Sequence, residues 1–212
     1  YLEHINGDIL KEKMSIFEGI DTSWNRVKGG KPIGDMLNKV IANFDFNTPS
    51  KSISDLVKVY TMIQALEDNH WKILKSEEIK NCIAACSGLY LEAVAQNQEA
   101  TPGSLLQLKL EAINRSSVAM QLVSLTTWPD AKIADKNVDL LKNSTQKMTL
   151  DLQLASQIEC TQPYWLKDKG TNGMYTVKDQ KNIGIPDIIR DAKVIFNIRI
   201  DGIEIPFERT VV

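Results

Sequence analysis

The sequence predicts an α+β protein, with a small helical bundle first and an antiparallel β-sandwich of the immunoglobulin/fibronectin III-like kind after it. Apolar residues recur at three- and four-residue steps up to about residue 95. After residue 104 they recur at every second position. Between the two, "ATPGS" at 100–104 carries a proline and a glycine that interrupt either period. The expected division is a helical domain over 1–99 and a sandwich domain over 100–212, each folding as its own unit and packed on the other.

Tyr1–Phe17 carries a weak helical pattern, and "GIDTSWNRVKGGKP" (19–32) carries none, which predicts a loop. From Pro32 the helical spacing is clear: Ile33, Met36, Leu37, Val40, Ile41 and Phe44 share a face. Proline suits a first helical turn, whose N–H groups lack intrahelical partners anyway. A second helix follows Pro49, with Ile53, Leu56, Val57, Tyr60, Ile63 and Leu66 as its apolar face. A third is expected from about Ser76, where Glu77 and Glu78 would face the positive end of its dipole. Its stripe runs through Ile79, Cys82, Ile83, Cys86, Leu89, Tyr90 and Val94.

The strands read as alternations. Leu106, Leu108, Leu110 and Ala112 alternate with polar residues, "INRSS" (113–117) turns the chain, and Val118–Leu125 follows. Met148, Leu150, Leu152 and Leu154 form another strand, and Val194, Phe196 and Ile198 a third. Asp201-Gly202 then supplies what a two-residue type I′ turn demands before Ile203, Ile205 and Phe207. Short alternating strands without intervening helices imply an antiparallel sandwich.

Composition narrows the function classes. The 212 residues carry a net charge of −2, −3 over residues 1–100 and +1 over residues 101–212, so no basic field is present to gather phosphates, and nucleic acid is not an expected partner. No apolar run reaches the length of a membrane span. The start at Tyr1 and the ending "ERTVV", in mid-strand pattern, suggest a piece of a longer protein. Three cysteines, Cys82, Cys86 and Cys160, argue against a disulfide framework.

Catalytic signatures are missing from the pattern. Gly30-Lys31 looks like the end of a phosphate loop, but Asn25 and Pro32 stand where that motif needs glycine and a hydroxyl residue. His4 and His70 lie far apart, and no zinc ligand set accompanies them. No G-x-S-x-G elbow occurs, and Cys160 lacks a histidine partner in the pattern. Asn114-Arg115-Ser116 and Asn143-Ser144-Thr145 match a glycosylation acceptor, a pattern short enough to occur by chance.

Several phrases together carry a resemblance. "IFEGIDTSWNRVKGGKPIGDML" (16–37), "LYLEAVA" (89–95), "EAINRSS" (111–117), "TQPYWLKDKGTNGMYTV" (161–177) and "IRIDGIEIPFERTVV" (198–212) resemble the region that follows the catalytic domain in large bacterial PIG-L/LmbE-type deacetylases. The resemblance covers most of the chain, in the same order. It implies a parent enzyme that removes acetyl groups from N-acetylglucosamine-type sugars, with zinc held in a separate catalytic domain. That domain's His-Pro-Asp-Asp metal motif is absent here, so no catalytic residue and no cofactor maps onto this chain. The implied partner is the catalytic domain of the same polypeptide, with a glycan as a further one, and a periplasmic or extracellular setting is favoured.

Two groups of residues are candidates for substrate contact. Tyr164, Trp165 and Tyr175 are rings that could cover the open end of the sandwich core, stack on a pyranose face or meet a neighbouring domain. Trp24 and Arg26 either border the deacetylase cleft from a loop or belong to the bundle, with Trp24 tucked under it and Arg26 in a surface ion pair. The functions in competition are a non-catalytic accessory region of the deacetylase, an autonomous carbohydrate-binding sandwich that tethers an enzyme to glycan, and a structural spacer.

Overall fold

The structure, a computed structural model, describes residues 17–186, 190 and 192–212, so His4 and nearly all of the expected Tyr1–Phe17 helix lie outside the described residues. Among the described residues the architecture is α+β, with three helices followed by two antiparallel sheets that hold seven strands.

Helix α1 (Lys31–Ala42) has Pro32 in its first turn, as expected. Ile33 and Val40 are its buried line, with Met36 and Leu37 packed beside them. Ile41, expected on the same face, is exposed because one residue beyond Val40 is about 100° further round the helix. Helix α2 (Ile53–Gln64) follows a 3₁₀ turn at Pro49–Ser52 and buries all of its expected apolar residues, from Ile53 to Leu66 just past its end. It packs between α1 and α3 (Asn69–Ser87).

Helix α3 departs from expectation at both ends. The Asp68 carboxylate accepts the Trp71 N–H at 3.1 Å, an N-cap that starts the helix at Asn69 rather than near Ser76. Glu77 and Glu78 are therefore in mid-helix, away from the dipole's positive end. At the other end Gly88 takes a left-handed φ of 59°. The Gly88 and Leu89 N–H groups bond the Ala85 and Ala84 carbonyls at 3.2 and 2.9 Å, which closes the helix. Tyr90 and Val94, expected on the helical stripe, lie instead in strand β1 (Tyr90–Ala95).

Strand β1 pairs antiparallel with β2 (Leu105–Ile113), so "ATPGS" lies in a hairpin loop and not at a junction between domains. The boundary expected at 99/100 falls inside one sheet, and the change from helix to strand occurs at Gly88. "YLEAVA" is short enough to fit either period, and it is the pairing with β2 that makes it a strand. The remaining strands are β3 (Met120–Trp128), β4 (Ile133–Asp139), β5 (Thr145–Gln153), β6 (Lys193–Ile200) and β7 (Ile203–Thr210). One sheet has the order β1-β2-β5 and the other β4-β3-β6-β7. The alternating residues of β2, β5, β6 and β7 point inward as expected, while β4 was not legible. Asp201 and Gly202, with φ of 50° and 79°, join Ile200 to Ile203 as the predicted turn.

Buried side chains of the helices and of both sheets form one contiguous cluster. Polar groups reinforce the junction. Lys80 of α3 is buried, pairs with Glu77, and donates to the Pro206 carbonyl at 3.0 Å. Pro206 stands on edge strand β7, where a missing N–H breaks no ladder bond. Arg209 Nε donates to the Leu91 carbonyl at 3.1 Å. Beyond β7, the Val212 N–H bonds the Ala93 carbonyl at 3.1 Å and the Val212 carbonyl accepts the Ala95 N–H at 2.8 Å, so the chain passes from one sheet to the edge of the other. Among the described residues, no helix is long and apolar enough to cross a membrane.

Candidate functional site

Between β5 and β6, residues 163–184 build a small lobe. Pro163 precedes a 3₁₀ turn at Tyr164–Leu166, and a second 3₁₀ turn spans Gln180–Asn182. The Tyr164 and Trp165 rings meet edge to face, with centroids 4.9 Å apart and planes at 90°. The Tyr164 hydroxyl accepts the Gly184 N–H at 3.1 Å, which ties the two ends of the lobe together. Thr171 and Met174 bond each other's backbones at 3.0 and 3.3 Å, and the Thr176 hydroxyl donates to the Lys169 carbonyl at 3.2 Å.

These bonds leave an open cleft of about 530 Å³, lined by Trp165, Asp168, Lys169, Met174 and Tyr175 among others. Tyr175 is 69% exposed and Met174 72%, so the cleft offers solvent both a ring and a thioether. Asp168 is held by Lys178 at 2.5 Å. Tyr164 and Trp165 are half-buried and pack on each other, and Ile158, earlier in the segment, packs against the core.

Trp24 and Arg26 lie elsewhere, in a 3₁₀ turn (Trp24–Arg26) where a loop was expected. The Ser23 hydroxyl accepts the Asn25 N–H at 3.2 Å and itself donates to Asp21 at 2.6 Å. That bond, and then the Ser23 N–H, holds the Asp21 carboxyl below its ordinary range. Trp24 is half-buried against α1, where a Cβ on Gly34 would lie 3.1 Å from its own Cβ. Arg26 places its guanidinium 4.1 Å from the centre of the Trp71 ring, and Lys75 reaches the same ring at 5.8 Å. Trp71, which the sequence analysis did not single out, is thus the residue that seats this turn. His70, expected between helices, lies in the first turn of α3 and meets the Trp71 ring edge-on at 4.9 Å. The structure brings Trp165 and Tyr175 to one cleft, with Tyr164 against Trp165, while the contacts of Trp24 and Arg26 run to α1 and α3.

The other sequence candidates have ordinary surroundings. Asn114 is buried, with its side-chain N–H groups on the Val118 and Leu140 carbonyls at 2.8 and 3.1 Å and its oxygen accepting from Ser116, which leaves no amide for a glycan. Cys82 is exposed and Cys86 half-buried; burial, and then Cys82, push the Cys86 thiol up. Among the described residues, no group of three or more His, Cys, Asp or Glu is placed to hold a metal ion.

No protein-family model matches the chain, and no curated protein matches its sequence. Among solved structures it is similar to the X-ray structure of Northeast Structural Genomics Consortium target SoR45, over 58% of this chain and 80% of that one, at 10% identity and a TM-score of 0.25. It is also similar to the Pseudomonas fluorescens alkylpurine DNA glycosylase AlkC bound to DNA containing an abasic site analog, at 8% identity and a TM-score of 0.28. That match covers 82% of this chain and spans 50% of the glycosylase chain. Likenesses this distant carry no functional argument.

Proposed function

We propose that the chain is a non-catalytic accessory region of a larger PIG-L/LmbE-type zinc-dependent sugar de-N-acetylase, and that it touches the saccharide through the Trp165–Tyr175 cleft. In this reading the helices form a bundle, the two sheets an immunoglobulin/fibronectin III-like sandwich, and the zinc belongs to the catalytic domain of the same polypeptide. The resemblance of its phrases to that family supports the parentage. The observation that carries the saccharide contact is the cleft itself, where an indole and an exposed phenol ring stand beside polar groups. Aromatic faces bury the apolar face of a pyranose, while neighbouring polar atoms take its hydroxyls.

The test is a titration of the isotope-labelled chain with an N-acetylglucosamine oligomer, followed by NMR. Shifts at the Trp165 indole and at Tyr175 that vanish in Trp165→Ala are expected; an unperturbed cleft at millimolar sugar overturns the contact. An autonomous carbohydrate-binding module would use the same cleft. The two readings part in the full-length enzyme: an accessory contact predicts that Trp165→Ala raises KM on short soluble oligomers, whereas a tether loses only its grip on polymeric glycan.

A further inference from the structure

Each sheet ends in two edge strands, β1 and β5 in one and β4 and β7 in the other. An open edge offers unpaired backbone groups to any other strand, and most of these edges are closed or spoiled for pairing. Val212 bonds β1 at Ala93 and Ala95. β7 carries Pro206, whose carbonyl is already held by Lys80. β4 contains Asn137 at a φ of 50° and faces a register shift in β3 between Leu122 and Ser124. β5 has none of these devices: "TQKMTLDLQ" holds no proline or glycine and pairs with β2 without a break from Thr145 to Gln153.

Two bonds show which of its backbone groups face outward. The Leu154 N–H goes to the carbonyl of Ser104, just before β2, at 3.0 Å, and the Gln153 N–H goes the other way, to the Asp130 carboxylate at 3.3 Å. Facing alternates along a strand, so Leu152, Leu150 and Met148 bond β2, while Asp151, Thr149 and Lys147 turn their N–H and C=O to the open edge. Among the described residues no bond reaches these outward groups.

We infer that β5 is a self-pairing edge, on which a second copy of this chain docks about a two-fold axis through Thr149 and extends the sheet. The charges of the strand select that register. Antiparallel pairing about Thr149 sets Lys147 opposite Asp151 of the second copy and Asp151 opposite its Lys147, and each pair exchanges both N–H···O bonds. Centring on Lys147 or on Asp151 instead would oppose like charges. Lys147 already meets Glu111 of β2 at 3.3 Å, and its side chain is 76% exposed, so a second carboxylate can reach its open side. The same two-fold sets Thr145 opposite Gln153. Leu141 lies just before β5, and Ile133 and Trp128 stand on either side of the Asp130 that holds Gln153; all three are exposed. The pairing therefore brings the Leu141 end of one copy to the Ile133 and Trp128 end of the other. None of this depends on the saccharide contact.

Sedimentation equilibrium of the chain across a concentration series, with amide exchange followed by NMR, tests the pairing. A monomer–dimer equilibrium is expected, with the Lys147, Thr149 and Asp151 amides gaining protection as the dimer fills. Lys147→Glu opposes carboxylates across the axis and Asp151→Lys opposes ammonium groups, so each variant alone should weaken the dimer about tenfold. Mixed together the two variants should restore it, because each charge then meets its opposite, a recovery that a misfolded variant could not give. A chain that stays monomeric at millimolar concentration overturns the inference. So does a dimer in which those amides still exchange freely, or one that the mixture fails to restore, since either places the contact on another surface.

Discussion

Single residues decide several properties that a pattern of apolar positions cannot express. Gly202 takes a φ of 79° with open space around its α-carbon, so an added Cβ meets backbone strain but no neighbour. Gly202→Ala should cost about 1 kcal/mol in urea unfolding, and an unchanged midpoint would show that the turn re-forms in another way. Burial, and then Glu77, raise the Tyr60 phenol above its ordinary 10.0, and burial and Cys82 raise the Cys86 thiol above 9.0. In both cases the folded state favours the protonated form. Their contribution to stability is complete below the ordinary values and is lost as pH rises through the raised ones. A melting temperature that is flat near neutrality should therefore fall in the alkaline range, and Tyr60→Phe should flatten part of that fall. An identical alkaline profile in the variant would remove Tyr60 from the explanation. The thiolate is the reacting species, so Cys86 should also alkylate more slowly than exposed Cys160, as peptide mass spectrometry after a timed pulse can report.

At the scale of elements, the end of α3 is the decisive local event. Gly88 shares the left-handed backbone of Gly202, yet a Cβ there would stand 3.0 Å from the Cβ of Arg115. Gly88→Ala should thus cost more than Gly202→Ala, about 2 kcal/mol, with crowding added to strain. Equal losses in the two variants would mean that the Arg115 segment yields freely. Asp68 and Gly88 are both standard signals for a helix start and stop, and each was present in the sequence. Leu89, Tyr90 and Val94 mask the stop by prolonging the three- and four-residue spacing past it. Strand β4 left a fainter trace: every residue from 133 to 139 is exposed or half-exposed, and Lys136 on its less exposed face and Ile133 on its more exposed one blur the alternation.

At the scale of the whole molecule, the shared core predicts one unfolding event. Amides of α2 and of β6 should lose protection from hydrogen exchange at the same denaturant concentration, because buried side chains of both belong to one cluster. Lys80→Ala should lower both midpoints together, a loss of about 1–3 kcal/mol in unfolding free energy, since it leaves the Pro206 carbonyl without its ammonium partner. Separate transitions for helices and sheets would instead restore the two-unit reading. On function, the purified chain should release no acetate from N-acetylglucosamine oligomers, with or without added zinc. Turnover that a chelator abolishes would overturn the accessory assignment.

The sequence by itself determined what depends on neighbours a few residues away: the buried face of α2, the alternation of β2, β5, β6 and β7, and the Asp201-Gly202 turn. It also pointed to Tyr164, Trp165 and Tyr175 as a group. Only the tertiary structure decided that "YLEAVA" joins β2 as a strand, that Arg26 stacks on Trp71, and that Trp165, Tyr175 and Lys169 line one cleft. The reason is physical. Periodicity records which side of an element faces away from water, and that is a local property. The partner that an edge strand, a guanidinium or an exposed ring meets is set by contacts between distant parts of the chain, which no local period encodes.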